Sequence, residues 1–401
     1  MRALEVWWND RHVGQFVRDG AAVTFRYDHD ASETPISLSI PRHEKAAARA
    51  ADRWLRNLLP DNPRVLARWQ KTYGTVDAFD LIGHVGHDVA GALVLLPEGD
   101  SPDTSDAVAQ LIGDDDLAAR ILSLRNDPDA WQDPSSHGTV RFSLAGTQGK
   151  FTAARVGPQW FWSTATLPST HIFKPGDPRY DQLEQVEAGT LRLAAAVGVP
   201  AAAAQVYEAL GQTSYLVERF DRDLSTDIAT RIHTEDLAQA LGREPGRKYG
   251  VSAKQVVELT QRISAEAPYD FVRELAFNTV VGNGDAHAKN YSLILADDVR
   301  LAPLYDSIPT QSYGPSHPEL DTTLAMPVAG ARRPPEVTTN HWRKLSRVTG
   351  LDEEQVVSLV HGVARGVAER GGDVYRDAGV DGPLLDTIVE QQRRNADVAV
   401  R

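Results

Sequence analysis

The chain lacks cysteine altogether and contains only two methionines. Without cysteine it can form neither disulfide bonds nor thiolate metal sites, which fits a reducing compartment. No apolar run reaches the roughly 18 residues that a transmembrane helix needs. The opening MRALEVWWNDR also lacks the apolar core of a signal peptide. The sequence therefore predicts a cytoplasmic protein that does not span a membrane.

An excess of basic residues is lacking as well, because the formal net charge at pH 7 is −13. Neutralising phosphates requires a basic face, so this charge argues against strong nucleic-acid binding by the chain alone. We expect any large affinity for DNA to come through a partner. The 401 residues are 42% hydrophobic and 24% charged, which is typical of a globular protein with two or three domains.

The densest polar chemistry is NGDAHAKN at residues 283–290. An apolar helical pattern precedes it and the strand-like YSLIL follows, which predicts a loop between two buried elements. Asp285 and Asn290 are 290 − 285 = 5 residues apart, the offset found in the catalytic loop of protein kinases. In that loop the Asp accepts the proton of the substrate hydroxyl and the Asn holds magnesium.

A second acid, Asp306, ends the segment LYD, 306 − 285 = 21 residues after Asp285. A kinase places there the acid that binds the magnesium bridging the ATP phosphates. An alternative interpretation is a metallophosphatase-like metal site that includes Gly284, Asp285 and His287. That site would need further ligands in a second Gly-Asn-His turn, and no such turn follows in the sequence. We therefore favour the kinase interpretation.

Strand-like segments at hairpin spacing predict a twisted sheet, at residues 140–144, 151–156, 160–163, 170–173, 205–207 and 214–220. Between the first two lies SLAGTQGK, residues 143–150. It is not a Walker A loop, because Leu144 stands where that motif needs glycine and Phe151 where it needs Ser or Thr. Its small residues predict a turn whose backbone can approach phosphates, and an ordinary hairpin turn is the alternative.

Lys174 ends the strand-like HIFKP, where a kinase keeps the lysine that contacts the α and β phosphates. Glu187 lies on the apolar stripe of a predicted helix at residues 180–197, and a carboxylate on a buried face is costly unless paired. We predict an ion pair between Lys174 and Glu187, as in the kinase lobe. The alternative is that Glu187 lies at a half-exposed helix edge. Residues 213–222, TSYLVERFDR, predict an extended link whose backbone groups can face adenine.

The first hundred residues predict a small unit of strands followed by helices. The expected strands are residues 4–8, 12–16, 22–27 and 92–96, and the expected helices are residues 44–59 and 65–69. The run 79–91 has several glycines between short apolar stretches. We expect a structural or docking role for this unit, because no motif in it suggests a chemically reactive site.

The rest of the chain predicts an α+β architecture in two parts. We expect a β-rich lobe over residues 101–222 and a helical lobe over residues 223–401, preceded by the small α/β unit at residues 1–100. The expected helices are residues 107–124, 234–241, 252–265, 268–281, 352–369 and 383–396. Thr234 and Ser252 are the predicted N-caps of two of them.

In this order the motifs resemble those of the HipA family of bacterial toxin kinases, nearly from end to end. The N-terminal motifs are VWWNDRHVGQF, SLSIPRH, WLRNLLPDNPRVLAR and HVGHDVAGAL. The later ones are SLAGTQGKF, HIFKP, YLVERFDR, HTEDLAQALG followed by KYG, VGNGDAHAKNYSL and LAPLYD. One such motif would be weak, but the ordered set is specific.

The resemblance implies a two-lobed protein-kinase-like fold and a serine/threonine protein kinase toxin that uses ATP and Mg²⁺. It also implies a small helix-turn-helix antitoxin of the HipB type, which binds operator DNA. Protein substrates in the family include aminoacyl-tRNA synthetases, whose phosphorylation slows growth and is linked to persistence. The sequence does not identify the substrate of this chain.

The resemblance also implies roles for individual residues. Asp285 matches the catalytic base, Asn290 and Asp306 match the magnesium ligands, and Lys174 matches the ATP-binding lysine. Ser143 matches a serine whose autophosphorylation ejects the phosphate loop and switches the kinase off. The implied nucleotide-binding residues are Lys174, Leu144, Ala145, Gly146, Thr147, Gln148, Gly149, Lys150, Glu218, Phe220, His287 and Lys289.

The segment SLAGTQGK departs from the family pattern at two positions, and two functions other than a protein kinase toxin are also considered. Thr147 stands where the commonest loop has alanine, and Gly149 replaces a frequent acidic residue. A small-molecule kinase is one rival, because the same Asp, Asn and Asp set serves sugar and aminoglycoside phosphorylation. The other rival is an inactive kinase fold that acts only as corepressor of the antitoxin.

Overall fold

A computed structural model describes residues 2–102, 109–131, 142–296 and 298–401. The chain divides into two units by its internal contacts. The first unit comprises Met1–Pro175, Tyr207–Arg247 and Leu293–Asp298, and the second comprises Gly176–Val206, Lys248–Ser292 and Val299–Arg401. The division into domains at residues 100 and 222 stays a prediction.

The first unit begins with an antiparallel sheet whose described strands are, in order, Ala22–Tyr27, Arg11–Asp19, Ala3–Trp8 and Leu93–Pro97. The predicted strands of the N-terminal region are therefore confirmed. Phe16 on this sheet stacks on Trp54 with ring centroids 5.6 Å apart, and both side chains are buried. This contact joins the sheet to the helices that follow it and is part of the core of the N-terminal region.

The helices of this region are Ala50–Asn57, Pro63–Tyr73 and Ala78–Val85. The predicted helix at residues 44–59 is wrong in its first turns, because Arg49 adopts a left-handed φ of +63° and the helix begins only after it. The third helix was not predicted. Asp77 caps it by accepting the backbone N–H groups of Phe79 and Asp80.

A second sheet has six described strands, in the order Ala204–Ala209, Gln212–Glu218, His171–Lys174, Phe151–Val156, Gln159–Phe161 and Leu111–Ile112. The strand predicted at residues 140–144 is not part of it. Residues 140 and 141 lie outside the described residues, and Phe142–Ser143 pairs in parallel with Asp88–Val89 instead. Residue 143 is therefore attached to the N-terminal region and not to the sheet that follows it.

The first unit also contains the helices Asp114–Asn126 and Leu237–Ala240. Its remaining short strands are Arg222–Asp223, Thr230–Arg231, Thr234–Asp236 and most of Ser292–Ile294. The helix predicted at residues 107–124 begins at Asp114, and residues 107 and 108 lie outside the described residues. The prediction that Thr234 caps a helix is wrong. Thr234 lies in a strand, and Asp236 caps the helix by accepting the backbone N–H of Gln239 at 2.8 Å.

The second unit is mainly helical. Its described helices are Leu183–Ala196, Ala253–Thr260, Ala267–Val281, Thr310–Tyr313, Thr339–Thr349, Glu353–Asp377 and Gly382–Ala399. Short 3-10 turns at Pro245–Gly250, Ala288–Asn290 and Pro334–Glu336 and the strand Arg300–Leu301 connect them. Tyr375 ties three helices together, because its buried hydroxyl contacts Thr190 Oγ1 at 2.9 Å and accepts from Gln392 Nε2 at 3.1 Å.

Within the described ranges, no helix combines the length and the apolar character needed to cross a membrane.

Candidate functional site

The polar loop, residues 283–290, lies between a buried helix and a short strand, as the sequence predicts. Helix Ala267–Val281 buries most of its side chains and ends at Gly282, which has a φ of +80°. A Cβ atom on Gly282 would lie 2.9 Å from Gln311 Cβ, so both the backbone angle and the packing favour glycine. The loop then leads into strand Ser292–Ile294.

Asp285 and Asn290 are joined through the backbone carbonyl of Asp285. That carbonyl accepts the backbone N–H of His287 at 2.7 Å and the side-chain Nδ2 of Asn290 at 2.9 Å. The Asn290 side chain is buried, whereas the Asp285 side chain is 56% exposed. The loop thus fixes the amide in place and leaves the carboxylate accessible.

Three buried side chains, Asn278, Asn283 and Ser307, form a cluster that we call the amide–hydroxyl node. Asn278 Oδ1 accepts hydrogen bonds from Asn283 Nδ2 at 2.9 Å and from Ser307 Oγ at 2.8 Å. Asn283 Oδ1 in turn accepts the backbone N–H of Asp285 at 3.0 Å. Because buried polar groups are costly unless they are bonded, the node stabilises one conformation of the chain around it.

Asp306 lies between two residues that are bonded to the polar loop. Tyr305 donates its hydroxyl to the backbone carbonyl of Lys289 at 2.9 Å, and Ser307 belongs to the amide–hydroxyl node. Asp306 itself has a φ of +54°. Residues other than glycine seldom adopt this conformation, and such positions cluster at functional sites. The structure therefore links Asp306 to the polar loop on both sides.

His287 and Lys289, which the resemblance assigns to nucleotide binding, are buried members of the polar loop. The His287 ring stands edge-on to the ring of Tyr249, with centroids 5.0 Å apart. Tyr249 donates its hydroxyl to Asp285 Oδ1 at 2.7 Å. Tyr249 lies in the segment KYG but was not predicted as a site residue.

Lys174 and Glu187 belong to different units, and their ion pair stays a prediction. Lys174 is buried at the end of strand His171–Lys174, with its Nζ 5.4 Å from the ring centroid of Tyr215. Glu187 lies on helix Leu183–Ala196 and its exposed fraction is 0%. The alternative that Glu187 occupies a half-exposed helix edge is therefore wrong.

Glu218 and Phe220, which are expected to contact adenine, flank the buried residue Arg219. The guanidinium of Arg219 donates to the Asp221 carboxylate at 2.8 and 2.9 Å. Burial alone would raise the pKa of Asp221, but Arg219 and Arg222 outweigh it and hold that pKa well below its usual range. These buried charges fix the backbone that carries Glu218 and Phe220. The motifs did not indicate this network of buried charges.

The small-residue loop, residues 143–150, begins at a serine that is closed off from solvent. Ser143 has an exposed fraction of 0%, and its Oγ donates to the backbone carbonyl of Leu58 at 2.7 Å. Phosphorylation of Ser143 would therefore require this hydrogen bond to break and the chain to move. Whether Ser143 is phosphorylated stays a prediction.

Residues after Leu58 hold the middle of the small-residue loop. The backbone N–H of Asp61 donates to the carbonyl of Gly146 at 3.0 Å. Asn62 Nδ2 donates to the carbonyl of Thr147 at 3.1 Å. The N-terminal region therefore contacts the loop directly.

The end of the small-residue loop is closed by Lys150. Its Nζ donates to the carbonyl of Ala145 at 2.8 Å and lies 4.9 Å from the ring centroid of Trp131. Gly149 approaches the backbone so closely that a Cβ atom there would lie 2.8 Å from the carbonyl oxygen of Pro128. Glycine thus permits close packing of this part of the loop.

The chain is similar to two domains of a known protein family and to known relatives. Residues 4–96 match the HipA N-terminal domain, and residues 142–370 match the HipA-like C-terminal domain. The Sinorhizobium fredii protein named "Putative kinase Y4mE" is 32% identical, covering 97% of each chain. The serine/threonine-protein kinase toxin HipA of Shewanella oneidensis is 28% identical, covering 92% of this chain and 89% of the other.

A solved structure agrees with the fold. Shewanella oneidensis HipA, determined in a complex with HipB and operator DNA, aligns with a TM-score of 0.81 over 98% of this chain and 96% of that chain. The sequence identity in this comparison is 24%, so it concerns the fold alone. The fold class predicted from the sequence, a mixed α+β kinase-like fold, is confirmed.

Proposed function

This chain belongs to the HipA family, and we propose that it is the serine/threonine protein kinase toxin of a toxin–antitoxin pair, dependent on ATP and Mg²⁺. The observation that carries the proposal is the hydrogen bonding on both sides of Asp306. Tyr305 donates its hydroxyl to the Lys289 carbonyl, and Ser307 Oγ accepts from Asn283 Nδ2 at 3.3 Å. These bonds connect the segment around Asp306 with the polar loop that contains Asp285, which lies 21 residues earlier in the sequence (306 − 285 = 21).

The donor set of Asn290 and Asp306 fits magnesium. Magnesium prefers oxygen ligands and is commonly held by one or two protein side chains together with substrate phosphates. Asn290 uses its Nδ2 to donate to the Asp285 carbonyl, which leaves its Oδ1 as the atom that would face a cation. When bound, the ion would neutralise charge that develops on the transferred phosphoryl group.

In the proposed reaction Asp285 accepts the proton of a serine or threonine hydroxyl. Its carboxylate is 56% exposed, so a protein substrate can approach it. The substrate oxygen then forms a bond to the γ-phosphorus and ADP leaves. Lys174 would bind the α and β phosphates, and the backbone of the small-residue loop would contact the phosphates as well. Catalysis would come from positioning and electrostatics.

Partners follow from the family. The solved relative was determined with HipB and operator DNA, which supports a helix-turn-helix antitoxin for this chain. With a net charge of −13 the chain would meet operator DNA mainly through that antitoxin. An aminoacyl-tRNA synthetase is the substrate class that the resemblance suggests, and autophosphorylation of Ser143 is the accompanying regulatory proposal.

Replacement of Asp285 by Asn tests the proposed reaction. The change keeps the shape of the side chain but removes the base, so transfer from γ-labelled ATP should fall by roughly 100- to 10,000-fold. The measurement is label incorporation into the chain itself and into proteins of a cell extract. Mass spectrometry of the labelled proteins would identify the substrate. Undiminished transfer by the Asp285→Asn variant would refute the assignment of the base.

A further inference from the structure

The segment KYG, residues 248–250, is part of the sequence pattern but has no part in the reaction proposed above. Tyr249 lies in the 3-10 turn Pro245–Gly250, which is described in full and contains no buried residue. Tyr249 is 53% exposed. Burial of apolar surface therefore does little to explain a large aromatic residue at this position.

The contacts of Tyr249 are directed at the proposed base. Its hydroxyl donates to Asp285 Oδ1 at 2.7 Å, a length typical of a hydrogen bond from a hydroxyl to a charged carboxylate. Its ring stands at 85° to the His287 ring, and His287 Nε2 lies 3.9 Å from the same Oδ1 atom. Two aromatic side chains thus border one oxygen of the Asp285 carboxylate.

A catalytic carboxylate needs such a restraint when it is exposed. The terminal torsion of an Asp side chain is broad and roughly two-fold, so a carboxylate that is 56% exposed has rotational freedom to lose. A hydrogen bond to one oxygen reduces that freedom. A carboxylate offers about four lone-pair sites, so Oδ2 can accept a substrate hydroxyl while Oδ1 accepts from Tyr249.

We propose that Tyr249 is a positioning residue, whose hydroxyl holds Oδ1 of Asp285 so that Oδ2 meets the acceptor hydroxyl. The inference rests on the proposed function, because it assigns Asp285 as the base. In the transfer step the acceptor proton passes to Asp285, the acceptor oxygen bonds to the γ-phosphorus, and the bond from that phosphorus to the ADP oxygen breaks. Tyr249 keeps its own proton throughout.

The test is Tyr249→Phe, which removes the hydroxyl and retains the ring that faces His287. Because hydrogen bonds to charged groups contribute more than neutral ones, we expect the transfer rate at saturating ATP to fall roughly 10- to 100-fold. The half-saturating ATP concentration and the thermal midpoint should stay at the wild-type values. The probes are γ-labelled ATP, with the chain itself and dephosphorylated casein as acceptors.

Tyr269→Phe is the matched control. The Tyr269 hydroxyl accepts the backbone N–H of Asp352 at 3.2 Å in the same unit, so this variant also loses one hydroxyl contact. We expect its transfer rate to match the wild type. Asp285→Asn gives the baseline rate without the base.

Three results would overturn the inference. An unchanged rate in Tyr249→Phe would show that the hydroxyl does not position the base. A faster rate would show that the hydroxyl competes with the acceptor. Phosphate found on Tyr249 by mass spectrometry would make the residue an acceptor. A wild-type chain that transfers no label would instead refute the proposed function, and the inference would fail with it.

Discussion

The polar loop and the small-residue loop are held in different ways. The polar loop is fixed chiefly through the amide–hydroxyl node. The side chains of this node come from the loop itself, from helix Ala267–Val281 before it and from the segment around Asp306. The small-residue loop is closed by its own Lys150 and is also held by Leu58, Asp61 and Asn62 of the N-terminal region. The first arrangement suits chemistry that needs fixed geometry, and the second would suit the proposed release of the loop on phosphorylation of Ser143.

The two kinds of attachment differ in what breaking them costs. Opening the node would leave buried amide and hydroxyl groups without partners, at roughly 1–3 kcal/mol for each group. The ties from Asp61 and Asn62 to the small-residue loop are single hydrogen bonds, each with a net value of about 0.5–1.5 kcal/mol, whereas breaking the contact of the buried Ser143 hydroxyl costs about as much as freeing one group of the node. Movement of Gly146 and Thr147 is therefore less costly than opening the node.

The largest expected effect is at Asp306. Asp306→Asn keeps a residue type that tolerates the left-handed φ of +54° and removes the charge that would bind magnesium. We expect label transfer to fall roughly 100-fold or more, with partial recovery at high Mg²⁺. Asp373→Asn, which changes an exposed acid in the same unit, should transfer label at the wild-type rate. Equal rates in the two variants would remove Asp306 from the site.

An intermediate effect is expected at Ser307. Ser307→Ala removes one donor from the amide–hydroxyl node, so the free energy of unfolding in urea should fall by about 1–3 kcal/mol and transfer should slow. Ser346→Ala is the matched control, because the buried Ser346 hydroxyl bonds to the Trp342 carbonyl of its own helix. Should transfer stay at the wild-type rate in Ser307→Ala while stability falls, the node would have only a structural role.

The smallest effect is expected at Asn62. Asn62→Asp keeps the oxygen that caps helix Pro63–Tyr73 but removes the donor to the Thr147 carbonyl. It also places a charge beside Asp129, which accepts from the same amide at 2.9 Å. We expect amide hydrogen exchange in residues 143–150 to become about 10-fold faster, because the hydrogen bonds from this amide to Thr147 and to Asp129 are both lost.

Asp77→Asn is the control, because it makes the reverse substitution at another helix N-cap of the same region. There the carboxylate accepts the backbone N–H groups of Phe79 and Asp80. Amide hydrogen exchange in residues 143–150 should be unchanged in this variant. If Asn62→Asp also leaves that exchange unchanged, the N-terminal region does not hold the small-residue loop, and the contrast between the loops disappears.

Local patterns predicted the elements of the molecule well. The strands of the first sheet, the apolar helix before the polar loop and the burial of Glu187 follow from periodicity and from the apolar stripe of a helix. The start of the first helix was misplaced, because nothing in the residue pattern signals the left-handed turn at Arg49.

The supports of the site were missed because they join distant parts of the chain. Asn278 is a polar residue within an apolar helical pattern, the same kind of signal that identified Glu187, and it could have been found in that way. Its partner Ser307 lies 307 − 278 = 29 residues later, and no local pattern predicts such a contact. Tyr249 was not predicted, because it lies in a 3-10 turn with no buried residue, and such a turn shows no hydrophobic periodicity.

The most direct test of the central claim is a crystal structure of the chain with Mg²⁺ and a non-hydrolysable ATP analogue. The account predicts a magnesium ion at roughly 2.0–2.1 Å from Asn290 Oδ1 and from a carboxylate oxygen of Asp306. The carboxylate of Asp285 should lie outside the coordination sphere and remain open to an acceptor. An ion bound elsewhere, with Asn290 and Asp306 facing away from it, would contradict the account.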